Sequence, residues 1–177
     1  NQSLEVFPSG YKRAAKYGRH DAASEILRTD TLERLSRWQS LERPLLIVTY
    51  PAALAEGVPS AEGFNKNLVS ISRESSPGLI ELEEQLRSLG FVRKDYVYEP
   101  GEFAVRGSIL DVFSYNSEYP YRIDFFGDEI DSIRTFEVEN QLSKEKKERI
   151  AIVPELTNVD GNDWVSFFDF LMPDTVR

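Results

Sequence analysis

The hydrophobic period of the chain changes at Gly90, and that change restricts the fold more than any other feature. Before it, Leu79, Leu82, Leu86 and Leu89 recur at three- and four-residue steps, the spacing of one apolar stripe on a helix. Ser76 stands as N-cap, Pro77 at the first helical position, and Gly90 where a C-terminal cap belongs. After Gly90 apolar and polar residues alternate. Phe91–Tyr98, Glu102–Arg106, Ser108–Phe113, Tyr119–Phe126 and Glu129–Glu137 read as successive strands, punctuated by Pro100-Gly101, Arg106-Gly107, Tyr115-Asn116-Ser117 and Gly127-Asp128. Gly127-Asp128 suits a two-residue hairpin of type II′, which wants glycine at its first central position. A mostly antiparallel, twisted sheet with the leucine helix packed on it is predicted.

The chain before this block reads differently. The first twenty residues are expected to be irregular, with Pro8, Gly10 and Gly18 as breakers. A short helix is predicted over Asp21–Leu27. A second is predicted to start at Asp30, where Glu33 completes a capping box and Leu32, Leu35 and Trp38 form a stripe. Leu45–Tyr50 is a nearly continuous apolar run, as in a strand buried on both faces of a parallel α/β sheet. Glu56–Lys66, with Gly57, Pro59, Ser60 and Gly63, reads as a linker, and Leu68–Ser72 as a strand. Gln141–Arg149 is expected to be a charged, exposed segment and Ile150–Val153 a short strand. Trp164, Phe167, Phe168 and Phe170 demand burial. The expected organisation is α/β plus α+β: residues 1–66 form part of an α/β domain with too few strands for a complete sheet, residues 67–154 an inserted sheet domain packed on a helix, and residues 155–177 a segment returning to the α/β part.

Composition removes most chemistry. The chain has no cysteine and a single histidine, His20, so disulfides, thiolate nucleophiles and ordinary zinc sites are not expected. No GxxxxGK[ST] loop cradles phosphates, and a Ser-His-Asp triad would have to recruit His20 from an irregular basic stretch. Formal net charge is −9 at pH 7, which repels phosphate backbones. The local exception is Lys12, Arg13, Lys16, Arg19 and His20 with Tyr11 and Tyr17, read as a solvated or interface segment in preference to a nucleic-acid patch. Asp124, Asp128, Glu129 and Asp131 cluster, but a solvated hairpin tip accounts for them better than a cation site or an acid/base pair. No enzyme activity, metal or cofactor is expected of this chain. It shows neither a signal-peptide pattern nor an apolar stretch near the roughly 20 residues that span a bilayer, so the expected place is the cytosol without membrane contact.

Strict alternation in Tyr121–Phe126 puts Tyr121, Ile123 and Phe125 on the core face and Arg122, Asp124 and Phe126 on the other. In the preceding strand Phe103 and Val105 point inward, so Arg106 points outward. Arg106, Arg122 and Phe126 together have the composition of a protein-binding hot spot. The alternative is an overlying segment or bulge that covers Phe126, with both arginines in routine surface ion pairs.

The block Gly101–Phe113, GEFAVRGSILDVF, continued by Tyr121–Ile133, YRIDFFGDEIDSI, resembles the signature shared by UvrB and the N-terminal region of the transcription-repair coupling factors (Mfd). The resemblance covers roughly Leu68–Pro154, and Asp21–Tyr50 is similar, more weakly, to the preceding degenerate helicase-like α/β domain. UvrB carries an aromatic-rich DNA-gripping hairpin ahead of that helix; here stands only the short Phe7–Tyr17, which favours the coupling-factor side. The resemblance implies a module that binds UvrA through Arg106, Arg122 and Phe126. It also implies a parent that is an ATP-driven, Mg-dependent DNA translocase acting on stalled RNA polymerase and double-stranded DNA, in which the same face can dock on the motor domain. The alternative is a piece of UvrB itself that contacts damaged DNA.

Overall fold

A computed structural model describes residues 3–10, 22–37, 45–74, 77–155 and 164–171. In chain order the elements are β1 (Ser3–Phe7), α1 (Ala22–Ser36), β2 (Leu45–Thr49), α2 (Pro51–Leu54), β3 (Val58–Pro59), α3 (Ala61–Lys66), β4 (Val69–Ser72) and α4 (Leu79–Ser88). There follow β5 (Val92–Arg93), β6 (Glu102–Arg106), β7 (Ile109–Val112), β8 (Tyr121–Phe126), β9 (Glu129–Phe136), β10 (Ser143–Lys147), β11 (Arg149–Ile152), β12 (Trp164–Val165) and α5 (Phe167–Leu171). The chain divides into two units, residues 1–67 with 159–177, and residues 68–158. Among the described residues no helix is long and apolar enough to cross a membrane.

In the first unit β1 and β2 pair in parallel, from Ser3↔Leu45 to Phe7↔Thr49. One face of this pair is covered: the Arg34 guanidinium of α1 reaches Glu5 at 2.8 Å, Arg28 lies over the Phe7 ring at 4.4 Å, and Phe7 packs on Phe167. The other face presents Leu4 opposite Leu46 and Val6 opposite Val48, all four exposed. Strand β2 is thus half-buried on one side and exposed on the other, and the expectation of a strand buried on both sides is not met. Strand β1 itself replaces the irregular start expected from Pro8 and Gly10, which fall just after it.

Helix α1 runs unbroken where two helices were predicted. Nothing between Leu27 and Asp30 lacks an amide or a side chain, so no breaker separates them. Asp30 is not an N-cap; its carboxylate accepts from Arg34 Nε at 3.1 Å, one turn on. The segment read as a linker is also ordered. Ser60 caps α3 by accepting from Gly63 N at 3.0 Å, and Val58 and Phe64 are buried, Phe64 against Phe170. Trp38, Ser76 and the basic stretch from Lys12 to His20 lie outside the described residues.

The second unit holds a six-stranded sheet of order β10-β9-β8-β7-β6-β5, antiparallel throughout except β5–β6, and a separate antiparallel pair β11–β4. It is a mixed α/β unit dominated by antiparallel pairing. Helix α4 lays Leu82 and Leu86 into a core with Phe103, Leu110, Ile123, Ile133, Ile71 and Ile152. Its end is a Schellman motif: Gly90, at φ 86°, donates to Arg87 O, and Phe91 N donates to Leu86 O. Its N-cap is Gly78, with Pro77 still outside the helix, two residues later than Ser76-Pro77 suggested. Phe91–Tyr98 contributes only the two residues of β5. The charged segment after Gln141 is exposed as expected, and within it Ser143–Lys147 forms an edge strand, β10, whose lysines deter pairing with other sheets. At the β8–β9 turn Gly127 is left-handed (φ 64°) and Asp128 is not, the pattern of a type II′ hairpin.

A buried hydroxyl joins the two sheets of this unit. Ser114, just past β7, accepts from Val153 N at 2.8 Å, just past β11, while Tyr115 N donates to Val153 O. Ser114→Ala strands a buried amide and is expected to lower stability by about 1–3 kcal/mol in urea unfolding followed by circular dichroism. In the first unit, burial pushes the carboxyls of Glu5, Asp30 and Glu33 above their ordinary values, against the lowering effect of Arg34 on all three. Each holds its proton more tightly folded than unfolded. Their contribution to stability is therefore fully present below the ordinary carboxylate value and is lost as pH rises through the raised ones. Thermal melting of this unit is expected at higher temperature near pH 5, about two units below neutrality, than at pH 7, with the difference reduced in Asp30→Asn/Glu33→Gln.

Candidate functional site

The six-stranded sheet has two faces of different chemistry. Cross-strand pairs share a face, so the core side collects Phe103, Val112, Tyr121 and Thr135 in one row and Val105, Leu110, Ile123 and Ile133 in the next. The outer side collects Ala104, Asp111, Arg122 and Arg134 in one row, and Arg106, Ile109, Asp124 and Ser132 in the next. The pleat separates two adjacent phenylalanines: Phe125 is 4% exposed in the core, and Phe126 is 82% exposed on the outer side. Among the described residues nothing covers Phe126.

Arg106, Arg122 and Phe126, the three residues singled out by alternation, all lie on this outer side, but the arginines are not idle. Asp111, 1% exposed, accepts from both. Its Oδ1 takes Arg122 Nε at 2.7 Å, and its Oδ2 takes Arg122 Nη2 at 2.9 Å and Arg106 Nη2 at 2.5 Å. Arg122 is further fixed by Gln141, whose backbone and side-chain oxygens accept at 3.3 and 3.0 Å, and by the Phe136 ring 4.2 Å below it. The hydrogen bonds to Asp111 hold its ionisation above the ordinary arginine value. Arg106 donates to Asp95 O at 3.1 Å and lies over Tyr96 at 5.0 Å. The segment carrying Tyr96 also lowers Val97 onto Ala104 and Phe113, a small second core on the outer side. The result is a rigid face: Arg122 is committed to it, Arg106 keeps part of its donor set and a third of its surface, and Phe126 projects from its end.

Three participants were not read from the sequence. Asp111 was legible in principle, because it is the outward residue between Leu110 and Val112. Gln141 was hidden at the start of a segment read only as charged and exposed. Arg134 was hidden by a β-bulge: Asp124 pairs with Ser132 but Phe125 with Ile130, which leaves Asp131 as an extra residue on β9. That residue reverses the parity of everything after it. Ile130 and Ile133 both point to the core although an odd number of steps separates them, and Arg134 lands outside, 3.8 Å from Asp124. Of the carboxylates at the tip, Asp124 also meets Ser108 Oγ at 3.4 Å and Asp128 sits beside Gly78.

A scaffold that fixes its polar groups on one sheet face, and leaves a large apolar ring bare at one end, defines a protein-interaction module. A family model described as the UvrB interaction domain matches residues 69–157, half of the chain, and the chain belongs to that family. Among curated proteins it is 51% identical over 73 residues to the transcription-repair-coupling factor of Escherichia coli K12, covering 41% of this chain and 6% of that protein. It is 34% identical over 134 residues to the coupling factor of Bacillus subtilis 168, covering 75% of this chain and 11% of that protein. It is also 34% identical over 109 residues to UvrABC system protein B of Streptococcus uberis, covering 61% and 16%. The chain thus spans about a tenth of the coupling factors it matches, in the region they share with UvrB.

Asp111 is expected to be the least replaceable residue of this face. Asp111→Ala leaves two guanidinium groups without their carboxylate, one of them largely buried, and should lower stability by about 3 kcal/mol or more in urea unfolding. Adding Arg122→Leu to that variant should restore part of the loss.

Proposed function

We propose that this chain is the UvrA-recruiting module of a transcription-repair coupling factor and is itself non-catalytic. UvrA docks on the outer sheet face. Phe126 fills an apolar pocket of the partner, Arg106 offers its remaining donors to carboxylates or carbonyls, and Arg122 keeps Asp111 and the strand geometry in place. The observation that carries this assignment is the 82% exposure of Phe126 on a face whose neighbouring side chains are locked, inside the segment matched by the family model. Large rings that remain bare on an ordered sheet are characteristic of binding anchors. Residues 1–66 and 155–177 belong, in this proposal, to a degenerate helicase-like α/β domain into which the module is inserted. ATP, Mg²⁺, RNA polymerase and double-stranded DNA engage other parts of a cytosolic parent, and the same face docks on its motor domain when UvrA is absent.

A second assignment, to UvrB and damaged DNA, draws support from the matches to UvrABC system protein B. It requires DNA binding that weakens steeply with salt, to which a chain of net charge −9 is poorly suited.

Titration of UvrA with the chain and with Phe126→Ala separates the outcomes. The variant should keep its melting temperature and lose about 2 kcal/mol of binding, roughly thirtyfold in Kd. Unchanged affinity with an intact fold would remove Phe126 from the site.

A further inference from the structure

We infer that the outer face carries a row of cations running across the strands, Lys146–Arg134–Arg122, that receives an acidic segment of the protein partner. This extends the docking face proposed above and rests on it. The row is set by register: Lys146 of β10 pairs with Arg134 of β9, Arg134 pairs with Arg122 of β8, and Arg122 pairs with Asp111 of β7. Like charges directly opposite one another across a ladder destabilise a sheet, so the arrangement is not explained by folding.

The available carboxylates do not balance it. Asp111 is already shared by Arg106 and Arg122. Asp124 stands 3.8 Å from Arg134, a long contact, and also serves Ser108. Glu145, next to Lys146 in sequence, is drawn to Lys147 at 2.6 Å. Lys146 is exposed and has no ion-pair partner among the described residues. Arg134 Nε is buried with no acceptor, while Nη2 reaches only Ser132 Oγ at 3.1 Å besides Asp124. Guarding a sheet edge accounts for lysines on β10. It does not account for Arg134, which lies on an interior strand with cations on both sides.

The occupant is a carboxylate-bearing stretch of protein and not a nucleic acid. The row is a local surplus on one sheet face of a chain whose net charge is −9. Asp124 and Glu129 lie on the same face, where they would meet phosphates laid along the sheet. Phe126 at the end of the face adds an apolar anchor, and an anchor flanked by a charged rim is the composition of a protein interface.

The test uses the 177-residue chain, Arg134→Glu/Lys146→Glu, and Phe126→Ala, each measured for association with UvrA at about 50 mM and about 500 mM salt. Reversal leaves positions 146 and 134 like-charged but turns the like pair of positions 134 and 122 into an opposite one, which relieves one of the row's two repulsive contacts and adds none. The double variant is therefore expected to melt no lower than the parent while binding UvrA about tenfold or more weakly at low salt, a gap that narrows at high salt. A residue needed only for folding would show the reverse, lower melting with binding lost in proportion. If Phe126→Ala weakens binding and the double reversal does not, the row has no partner and the inference fails while the docking assignment stands. If the parent chain itself fails to bind UvrA, both fall. If instead it shifts a short DNA duplex and the double reversal abolishes that shift, the row reads phosphate and the inference is wrong.

Discussion

One carboxylate organises the outer face of the sheet. Asp111 lies at the middle of β7 with Ala104 opposite on one side and Arg122 on the other, and the small side chain of Ala104 leaves room for Arg106 to reach it from the end of β6. Three strands are tied through two oxygens. Such a charge is expensive to bury alone, so the surrounding structure is arranged to keep it company: Gln141, Phe136 and Tyr96 each hold one of the two guanidinium groups against it. Remove the carboxylate and both guanidinium groups lose their anchor, leaving the small apolar cluster of Val97, Ala104 and Phe113 to hold this side.

The two sides of the sheet divide the labour. The inner side is a conventional apolar core closed by α4 and the β4–β11 pair, with Leu82, Leu86, Ile123 and Ile133 excluded from solvent. The outer side is held by ion pairs and by a few rings, and is therefore rigid without being covered. Side chains fixed on strands present a partner with a geometry that needs little ordering on contact, which lowers the entropic cost of association.

How much of this was legible in the sequence follows from which forces act locally. Parity along Tyr121–Phe126 depends only on the pleat, and it placed Phe125 inside and Phe126 outside without any tertiary information. The leucine helix and its glycine stop were equally local. The misreadings share another origin. Asp30 and Glu33 suggested a new helix start, but a helix already under way continues through such residues when its neighbours pack. Residues 56–66 looked like a linker because Gly57, Pro59, Ser60 and Gly63 dominate the composition, yet Val58 and Phe64 have a core to enter. The stretch from Ser143 to Lys147 is strand only because β9 offers it a ladder, and no propensity of Lys or Glu announces that. Arg134 was lost to a single extra residue whose presence is invisible until the register is known.

That extra residue has a meaning of its own for how such a module can change over time. A bulge bends its strand and increases the local twist, and Asp131 sits two residues from the turn that carries Phe126. Deleting it would leave each of the pairs from Ser132 onward intact and merely straighten the ladder. The direction in which the anchor points and the chemistry of the face behind it are thus inherited separately: one is adjustable by insertion and deletion at the tip, the other only by substitution. A lineage could re-aim its ring toward a drifting partner without disturbing a single ion pair.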